Sequence, residues 1–407
     1  MMETAVEISP DAAPAGPEGS PFRIGLGEAA GAVADLGVLV PLVAALVLVN
    51  GLDAGSILVC AGLLVLASGL IFRIPFPVQP LKALTAVAVA QQLAPGVIHA
   101  AGLEIAAFLL LLSVRHVADL VARVFTRPVV RALQLGVGVL LSVTAVKLIA
   151  SPPDVFTGVP ATPWPWVLMV GSFALVIVAA GRGQHWIALA LLAAGVLAAW
   201  LAASPRVGGP ALSFPHLAVP PAAAFGSAFF LLVIPQLPLT FGNAVVAVND
   251  LAHERFGAAA DRVTPSRVCL SAGIGNMVSG LFGGMPMCHG SGGLTAHTRL
   301  GARTAGMNVL LGGTFLTLGL AFGAQIPVLL GLLPVWALAA FLAYAGLRHA
   351  WLVADLRGTD LAVAVVAGAI GAWAGNLALT AGLALISVHG LSWLRTRSGA
   401  ATGTLPR

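Results

Sequence analysis

Two short polar interruptions decide the fold of this chain: residues 285–295 read MPMCHGSGGLT, and residues 75–82 read PFPVQPLK. We call them the second break and the first break. Each lies inside otherwise apolar sequence, and its Pro and Gly residues oppose a continuous helix. In lipid, freed backbone groups are tolerated only where protein buries them or a watery cavity hydrates them. We therefore expect two half-helices whose N-termini face each other near the membrane midplane and direct N–H groups at an anion.

The composition is that of an integral membrane protein. Of the 407 residues, 59% are hydrophobic and 9% are charged, and the mean hydropathy is +1.00, whereas soluble domains carry about 25% charged residues. All but two of the 20 basic residues are Arg, nearly all in short loops, so the net charge of +5 indicates membrane orientation and not nucleic-acid binding. The three cysteines are far apart, which predicts neither a disulfide framework nor a metal site. No cofactor is expected.

The apolar runs are arranged as a repeat. About fourteen of them predict an all-α integral membrane protein with about fourteen transmembrane segments. The third run of each set of seven contains a break, and an odd number of segments per repeat inverts the second half. We therefore expect a seven-plus-seven inverted repeat with broken half-helices at segments 3 and 10. The predicted segments are 26–48, 56–72, 78–93, 103–121, 131–149, 165–181, 185–202, 222–248, 268–284, 289–298, 304–322, 326–348, 360–374 and 377–394.

Domain boundaries and orientation follow from this count. If the N-terminus is inside, nearly every Arg falls in a cytoplasmic loop or tail and only Arg206 lies outside. This sorting predicts a multi-pass protein of the cell (inner) membrane with both termini in the cytoplasm. The predicted units are a disordered cytoplasmic tail at 1–22, a first repeat at 23–203, a linker at 204–221, a second repeat at 222–395 and a cytoplasmic tail at 396–407.

The first break carries an intramembrane charge. Lys82 follows Pro80 by two positions, and a charge at that depth marks a functional site by default; the alternative is a lysine that snorkels to the interface. Gln79 either hydrogen-bonds to the substrate or hydrogen-bonds to the backbone groups that the break leaves unpaired. Asp35, in the middle of the first segment, is expected to carry a transported proton or to pair with Lys82, with an internal hydrogen bond as the alternative. The predicted substrate-binding residues here are Gln79, Pro80 and Lys82.

The second break supplies four further candidates: His289, Gly290, Ser291 and Gly292. Glycines allow backbone N–H groups to approach a ligand closely, and Ser291 adds a hydroxyl group. His289 is expected to bind the anion or to gate transport by protonation, and a packed, hydrogen-bonded histidine is the alternative.

The eighth segment contributes a polar helix face. Gln236, Thr240 and Asn243 have the i, i+4, i+7 spacing of residues that share one face. That face either lines the substrate cavity or hydrogen-bonds to neighbouring helices.

With these residues the chain resembles the molybdate transporter family, which is related to the SulP sulphate permeases. The resemblance implies a core domain of segments 1–4 and 8–11 and a scaffold domain of segments 5–7 and 12–14 that move as rigid bodies. It implies uptake of molybdate, a tetrahedral dianion, between segments 3 and 10, and it allows a homodimer. SulP permeases tend to have a carboxylate near the position of Asn243, and its absence here directs attention to Asp35. The matching segments are Gly31–Pro41, Pro75–Lys82, Pro235–Asn243, Asn276–Gly284 and Pro286–Leu294.

Several functions remain open at this point. The leading hypothesis is secondary active uptake of molybdate by alternating access, coupled to protons. Sulphate is also a tetrahedral dianion, so a sulphate or other anion permease is an alternative. A nucleobase permease of the same architecture would use carboxylates in segments 8 and 10, which are absent here, and a passive anion channel is a further alternative. No nucleophile–base pair is evident, so an enzyme is not expected. The expected partners are molybdate or sulphate and the lipid bilayer.

Overall fold

A computed structural model describes residues 20–33, 36–114, 126–152, 164–182, 186–203 and 208–401. Most of the predicted N-terminal tail, four residues of the predicted linker and the last six residues of the chain lie outside these ranges. The described part is almost entirely helical. The elements of the first half are α1 (Leu26–Val33), α2 (Leu36–Leu48), α3 (Ala54–Phe72), β1 (Gln79–Pro80), α4 (Lys82–Ala90), α5 (Pro95–Leu112), α6 (Arg127–Ala150), α7 (Pro165–Gly181) and α8 (Trp186–Ala203).

The second half opens with a long, irregular helical stretch. Two turns of π-helix interrupt it, at Phe229–Val233 and Thr240–Val246, around a short segment that contains Pro235 and Pro238. The remaining helices and strand of this half are α9 (Ala222–Ala228), α10 (Ile234–Leu239), α11 (Ala247–Phe256), α12 (Pro265–Leu281), β2 (Met287–Cys288), α13 (Ser291–Arg299), α14 (Gly306–Phe322), α15 (Ile326–Gly331), α16 (Val335–Trp351), α17 (Gly358–Trp373) and α18 (Leu377–Ala401).

The local sequence explains where several helices begin and end. Asp53 caps α3, because its side chain accepts a hydrogen bond of 2.7 Å from the Ser56 N–H. Arg73 ends α3 in the left-handed conformation, at φ 58°. Pro95 is at the first helical position of α5, so α5 starts eight residues before the predicted segment 103–121. Pro334 separates α15 from α16, so the predicted segment 326–348 consists of two helices.

Among the residues that the structure describes, six helical stretches are long and apolar enough to cross a membrane: Ala54–Phe72, Pro95–Leu112, Arg127–Ala150, Ala222–Ala260, Gly306–Gly331 and Val335–Asp355. Shorter apolar helices accompany them at Leu39–Leu48, Pro165–Ala179, Ala193–Ala202, Gly358–Trp373 and Leu377–Trp393.

Close helix contacts join these elements into two groups. In one group α3 packs on α14 and α5 packs on α12; in the other α6 packs on α16 and α17, and α17 packs on α18. Small residues permit the close approach. A Cβ atom at Gly62 would stand 2.9 Å from the Gly312 carbonyl oxygen, so α3 and α14 touch backbone to backbone. α4 lies against α6 and connects the two groups.

The two breaks meet in a two-residue antiparallel ladder. Gln79 pairs with Cys288, and Pro80 pairs with Met287. Each strand leads directly into a helix of nine residues, α4 or α13. A nine-residue helix is only about 14 Å long, which is about half the thickness of the hydrocarbon core. Both segments are therefore interrupted, as the breaks predict, and the interruptions lie side by side.

Candidate functional site

The N-termini of α4 and α13 lie together because the ladder ends where both helices begin. The Leu81 N–H donates to the Pro286 carbonyl at 3.0 Å, which extends the pairing to the first residue before α4. The hydrogen bonds of the described residues include none from the backbone amides of Lys82, Ala83, Ser291 or Gly292. These amides belong to the first turns, where a helix leaves N–H groups unpaired and carries its positive dipole end.

Two buried asparagines hold the extended backbone of the breaks. The side-chain oxygen of Asn308 in α14 accepts a hydrogen bond from the Phe76 N–H at 3.0 Å, and its nitrogen donates to the Phe76 carbonyl at 2.7 Å. In the same way the side-chain oxygen of Asn276 in α12 accepts from the Met287 N–H at 2.8 Å, and its nitrogen donates to the Met287 carbonyl at 2.7 Å. Both are fully buried. A side-chain amide thus takes the place of a neighbouring strand on each side, which satisfies backbone groups that would otherwise be unpaired in the membrane interior.

His289 is packed between these elements. Its Nδ1 lies 2.9 Å from the Pro77 carbonyl and its Nε2 lies 3.1 Å from the Ser271 hydroxyl. Because a carbonyl only accepts, Nδ1 carries a proton, and in the neutral ring Nε2 accepts from Ser271. The ring is fully buried and packs on Phe76 with ring centroids 4.9 Å apart. Both ring nitrogens are therefore occupied by protein groups, and the ring connects the two breaks with α12.

Gln236 accepts a hydrogen bond from one of the backbone amides at the N-terminus of α4. Its Oε1 accepts the Leu84 N–H at 2.9 Å, and its Nε2 donates to the Thr240 hydroxyl at 2.9 Å. Both side chains are buried. Of the first-turn amides of α4, the third is thus bonded to Gln236, while those of Lys82 and Ala83 stay available.

Asn243 reaches the N-terminus of α13. Its Oδ1 accepts the Ser291 hydroxyl at 2.7 Å, and its Nδ2 would stand 3.5 Å from a Cβ atom at Gly290. This Nδ2 makes no hydrogen bond within the described part of the chain. The predicted polar face of segment 8 is therefore divided: Gln236 and Thr240 face α4, and Asn243 faces α13.

The glycines of the second break have different surroundings. A Cβ atom at Gly290 would lie 2.7 Å from the Gln79 Oε1, and one at Gly293 would lie 2.7 Å from the Gln79 Nε2. The buried Gln79 amide thus crosses the first turn of α13, and only glycine leaves it room. A Cβ atom at Gly292 would meet nothing within 4 Å, and this residue is exposed. Open space therefore surrounds the Cβ position of Gly292, the second residue of α13.

Lys82 begins α4 and is half-buried. Across the described ranges of the chain its ammonium group forms no ion pair. Lys82 therefore lies on the helix that packs on α6 and connects the two groups of helices. Asp35, the predicted partner or proton carrier, lies outside the described residues.

The site brings most of the predicted residues together and adds others. Sequence reasoning did not single out Asn308 or Ser271; the available signal was a lone amide or hydroxyl residue within a Gly-rich apolar segment. No group of three or more His, Cys, Asp or Glu residues that could hold a metal ion occurs in the described ranges. The predicted residues gathered around the ladder are Gln79, Pro80, Lys82, Gln236, Thr240, Asn243, His289, Gly290, Ser291 and Gly292.

Comparison with known proteins gives a consistent result. A family model described as "Molybdate transporter of MFS superfamily" matches residues 27–141 and 228–348, more than half of the chain. Molybdate transporter 2 of Arabidopsis thaliana is 30% identical, and the match covers 88% of this chain and 86% of that protein. Molybdate transporter 1 of Chlamydomonas reinhardtii is 31% identical, with coverages of 81% and 84%.

Solved structures show the same fold at low sequence identity. The transmembrane domain of the cyanobacterial bicarbonate transporter BicA superposes with a TM-score of 0.60 at 16% identity, covering 89% of this chain and 96% of that one. SLC26A9 superposes with a TM-score of 0.66 at 13% identity, covering 91% of this chain and 65% of that one.

Proposed function

The chain belongs to the molybdate transporter family, and from this membership we propose that it carries molybdate across the membrane through a site between the N-termini of α4 and α13. It is an all-α, multi-pass membrane transporter. The observation that carries the location of the site is the ladder that joins the two breaks, Gln79 to Cys288 and Pro80 to Met287.

The charge of the site matches the charge of the substrate. Each helix N-terminus is equivalent to about half a positive charge, and the Lys82 ammonium adds one more. The sum is about +2, which balances a molybdate dianion. In the described part of the chain, the hydrogen bonds at the first turns of α4 and α13 involve no carboxylate.

The donors differ in availability, and this supports different roles. The amides of Ala83 and Gly292, the Nδ2 of Asn243 and the Lys82 ammonium have no acceptor in the described part of the chain, and they suit the corners of a tetrahedral oxyanion. Gln236 and His289 have both of their polar groups bonded to protein. We assign Gln236 and His289 to the support of the site and not to direct contact.

Other parts of the proposal concern the transport cycle. The seven-plus-seven inverted repeat, its fourteen segments and the units 23–203 and 222–395 are proposed as the architecture, with cytoplasmic termini in the cell membrane. The two groups of packed helices support a rigid-body movement of core against scaffold, with Lys82 at their boundary. Dimerisation is proposed from the resemblance alone. Asp35 is proposed as the proton carrier, and an unchanged pH profile of uptake in Asp35→Asn would rule that role out.

Other substrates are separable from molybdate by experiment. Sulphate has the same charge and shape, so excess sulphate that abolishes molybdate uptake would favour a general oxyanion permease. A planar nucleobase is disfavoured, because the described residues of the site offer Asn243 and backbone amides and no carboxylate acceptor. A passive channel would fail to accumulate molybdate against its gradient.

Uptake of labelled molybdate into proteoliposomes with an imposed pH gradient tests the function. We expect Lys82→Ala to lower uptake at least about a hundred-fold, because it removes a charge close to a dianion in a poorly screened site. The matched control is Lys147→Ala, since Lys147 is the other lysine of the chain and is exposed in the last turn of α6. Equal uptake by both variants would place the site elsewhere.

A further inference from the structure

An apolar cavity of about 440 Å³ lies between α1, α2, α3, α14 and α15, away from the ladder. The inner side of its lining is buried, with Val43 at 4% and Phe315 at 5% exposure. Thr314 carries the single hydroxyl group of the described lining, and it donates to the Leu310 carbonyl of its own helix at 2.8 Å. The described side chains of the wall therefore offer no free hydrogen-bonding group, and the volume is that of a small-molecule pocket. Such a cavity excludes water and accepts an apolar ligand.

The rim of this cavity belongs to the outer surface of the helices. Val33 and Leu318 line it and are 39% and 36% exposed. α3 and α14 lie in stretches long and apolar enough to cross a membrane, so their exposed apolar side chains are covered by lipid. The cavity continues that covered surface inward. Its natural apolar ligand is an acyl chain from the surrounding bilayer.

Three exposed arginines stand at one end of the same helices. Arg23 precedes α1, Arg73 ends α3 and Arg303 precedes α14. The Arg23 carbonyl accepts from the Thr304 hydroxyl at 3.2 Å, which places Arg23 beside Arg303. A Cβ atom at Gly69, whose carbonyl accepts the Arg73 N–H at 2.9 Å, would lie 3.5 Å from the carbonyl of Ala305, two residues after Arg303. The three arginines thus surround one loop.

The charges of this cluster are open to a ligand. None of the three arginines forms an ion pair with a described residue. The nearby carboxylate of Glu28 is 6% exposed and accepts the backbone N–H groups of Arg303 and Thr304 at 3.0 Å each. One guanidinium nitrogen of Arg303 donates to the carbonyls of Thr298 and Ala302, and its other nitrogens are available. Basic clusters at membrane-helix ends attract anionic lipid headgroups.

The spacing of cluster and cavity suits one lipid. Ala29 follows Arg23 by six residues and Leu310 follows Arg303 by seven, so the cavity begins roughly 10 Å below the arginines. It extends along α14 to Leu318, roughly 22 Å below them. That depth runs from the headgroup region to about the middle of a bilayer whose hydrocarbon core is about 30 Å thick.

We propose that an anionic phospholipid occupies this place, with its headgroup on Arg23, Arg73 and Arg303 and one acyl chain in the cavity between α1 and α14. The lipid would lie at the outer edge of the group formed by α1, α3 and α14 and would bridge it to α15. It is separate from the substrate site, so the proposal stands independently of which anion the protein transports.

Photolabelling with defined lipids tests the proposal. The full-length protein is placed in phosphatidylcholine nanodiscs that contain phosphatidylglycerol with a diazirine in one acyl chain. We expect labelled peptides from α1 and α14, including Val33 and Leu318. Phosphatidylcholine with the same diazirine chain is the comparison lipid. Equal labelling of these peptides by both lipids, or labelling confined to other helices, would overturn the proposal.

Variants separate the headgroup from the tail. Replacing Arg23, Arg73 and Arg303 together by Gln should lower phosphatidylglycerol labelling by about ten-fold or more, since each Arg near an anionic surface contributes about a five-fold factor. The matched control replaces three other exposed arginines, Arg182, Arg262 and Arg357, and should retain labelling within about two-fold, because screening limits their reach. Equal losses in the two triple variants would reduce the effect to general surface charge and contradict the site.

A second pair of variants tests the tail without touching any charge. Ala29→Phe and Thr314→Phe place a ring into the cavity from two exposed lining positions, so neither forces a side chain into packed protein. Both should remove the label from α1 and α14 while thermal unfolding stays as in the wild type. Labelling that persists in both variants would show that the acyl chain does not enter the cavity.

Discussion

Replacement of His289 by Ala distinguishes a supporting role from direct contact with the anion. The ring is fully buried and bonds to the Pro77 carbonyl at 2.9 Å and the Ser271 hydroxyl at 3.1 Å. Its loss leaves the Pro77 carbonyl unpaired, at a cost of about 1–3 kcal/mol, while Ser271 can rotate to another acceptor. The vacated ring volume beneath Phe76 adds about 2–5 kcal/mol by analogy with other large-to-small core changes.

The total loss of stability is therefore roughly 3–8 kcal/mol. At about 2 °C per kcal/mol this lowers Tm by roughly 6–16 °C. His289→Gln keeps one donor and one acceptor, so about half of the loss should be recovered. Thermal unfolding of the detergent-purified variants measures the shift.

Transport kinetics of the same variants complete the test. If His289 only supports the site, the KM for molybdate changes by less than about ten-fold once uptake is scaled to folded protein. An unchanged Tm together with a KM raised about a hundred-fold would show that the ring binds the anion directly, and the supporting role would be refuted.

Three further predictions use different parts of the molecule. Gly292→Ala should leave Tm unchanged, because its methyl group enters open space at the start of α13, and should raise the KM for molybdate roughly ten-fold. Gly290→Ala should lower stability by about 1–3 kcal/mol, because its methyl group would collide with the buried Gln79 amide. An equal Tm for the two variants would contradict this difference. Asn308→Leu should cost about 2–5 kcal/mol, measured by thermal unfolding, since it unpairs the buried N–H and carbonyl of Phe76. A wild-type Tm would show that Asn308 does not hold the first break in place. Asp355→Asn breaks the ion pairs with Arg127 and Arg131 on a partly exposed surface and should cost under about 1 kcal/mol; a larger loss that persists in high salt would show a buried network.

Much of the fold could be predicted because hydropathy and helix breakers act locally. The apolar composition identified the membrane class, and Pro75 to Pro80 and Pro286 to Gly293 located the breaks. That the two breaks lie next to each other was predicted from the repeat of seven apolar runs, and the antiparallel pairing of Gln79 with Cys288 confirms that they are adjacent. Pro334 divides a predicted segment because a proline also suits the start of a new helix, and hydropathy does not register that difference.

The partners of the polar side chains could not be predicted, because they depend on contacts between residues far apart in sequence. Asn308 bonds to Phe76 across 232 positions, and Gln236 bonds to Leu84 across 152. Spacing placed Gln236, Thr240 and Asn243 on one face, but a π-helical turn begins at Thr240 and redirects Asn243 to Ser291. His289 has an unusual setting in sequence, yet only coordinates reveal that both of its ring nitrogens are occupied.

The most direct test of the central claim is to locate the bound substrate. Molybdenum scatters X-rays anomalously near its absorption edge, so crystals grown with molybdate would show the metal atom as a distinct peak. We predict a peak between the first turns of α4 and α13, within hydrogen-bonding reach of the Ala83 and Gly292 amides. A peak elsewhere, with the space between the two helix N-termini empty, would contradict the account.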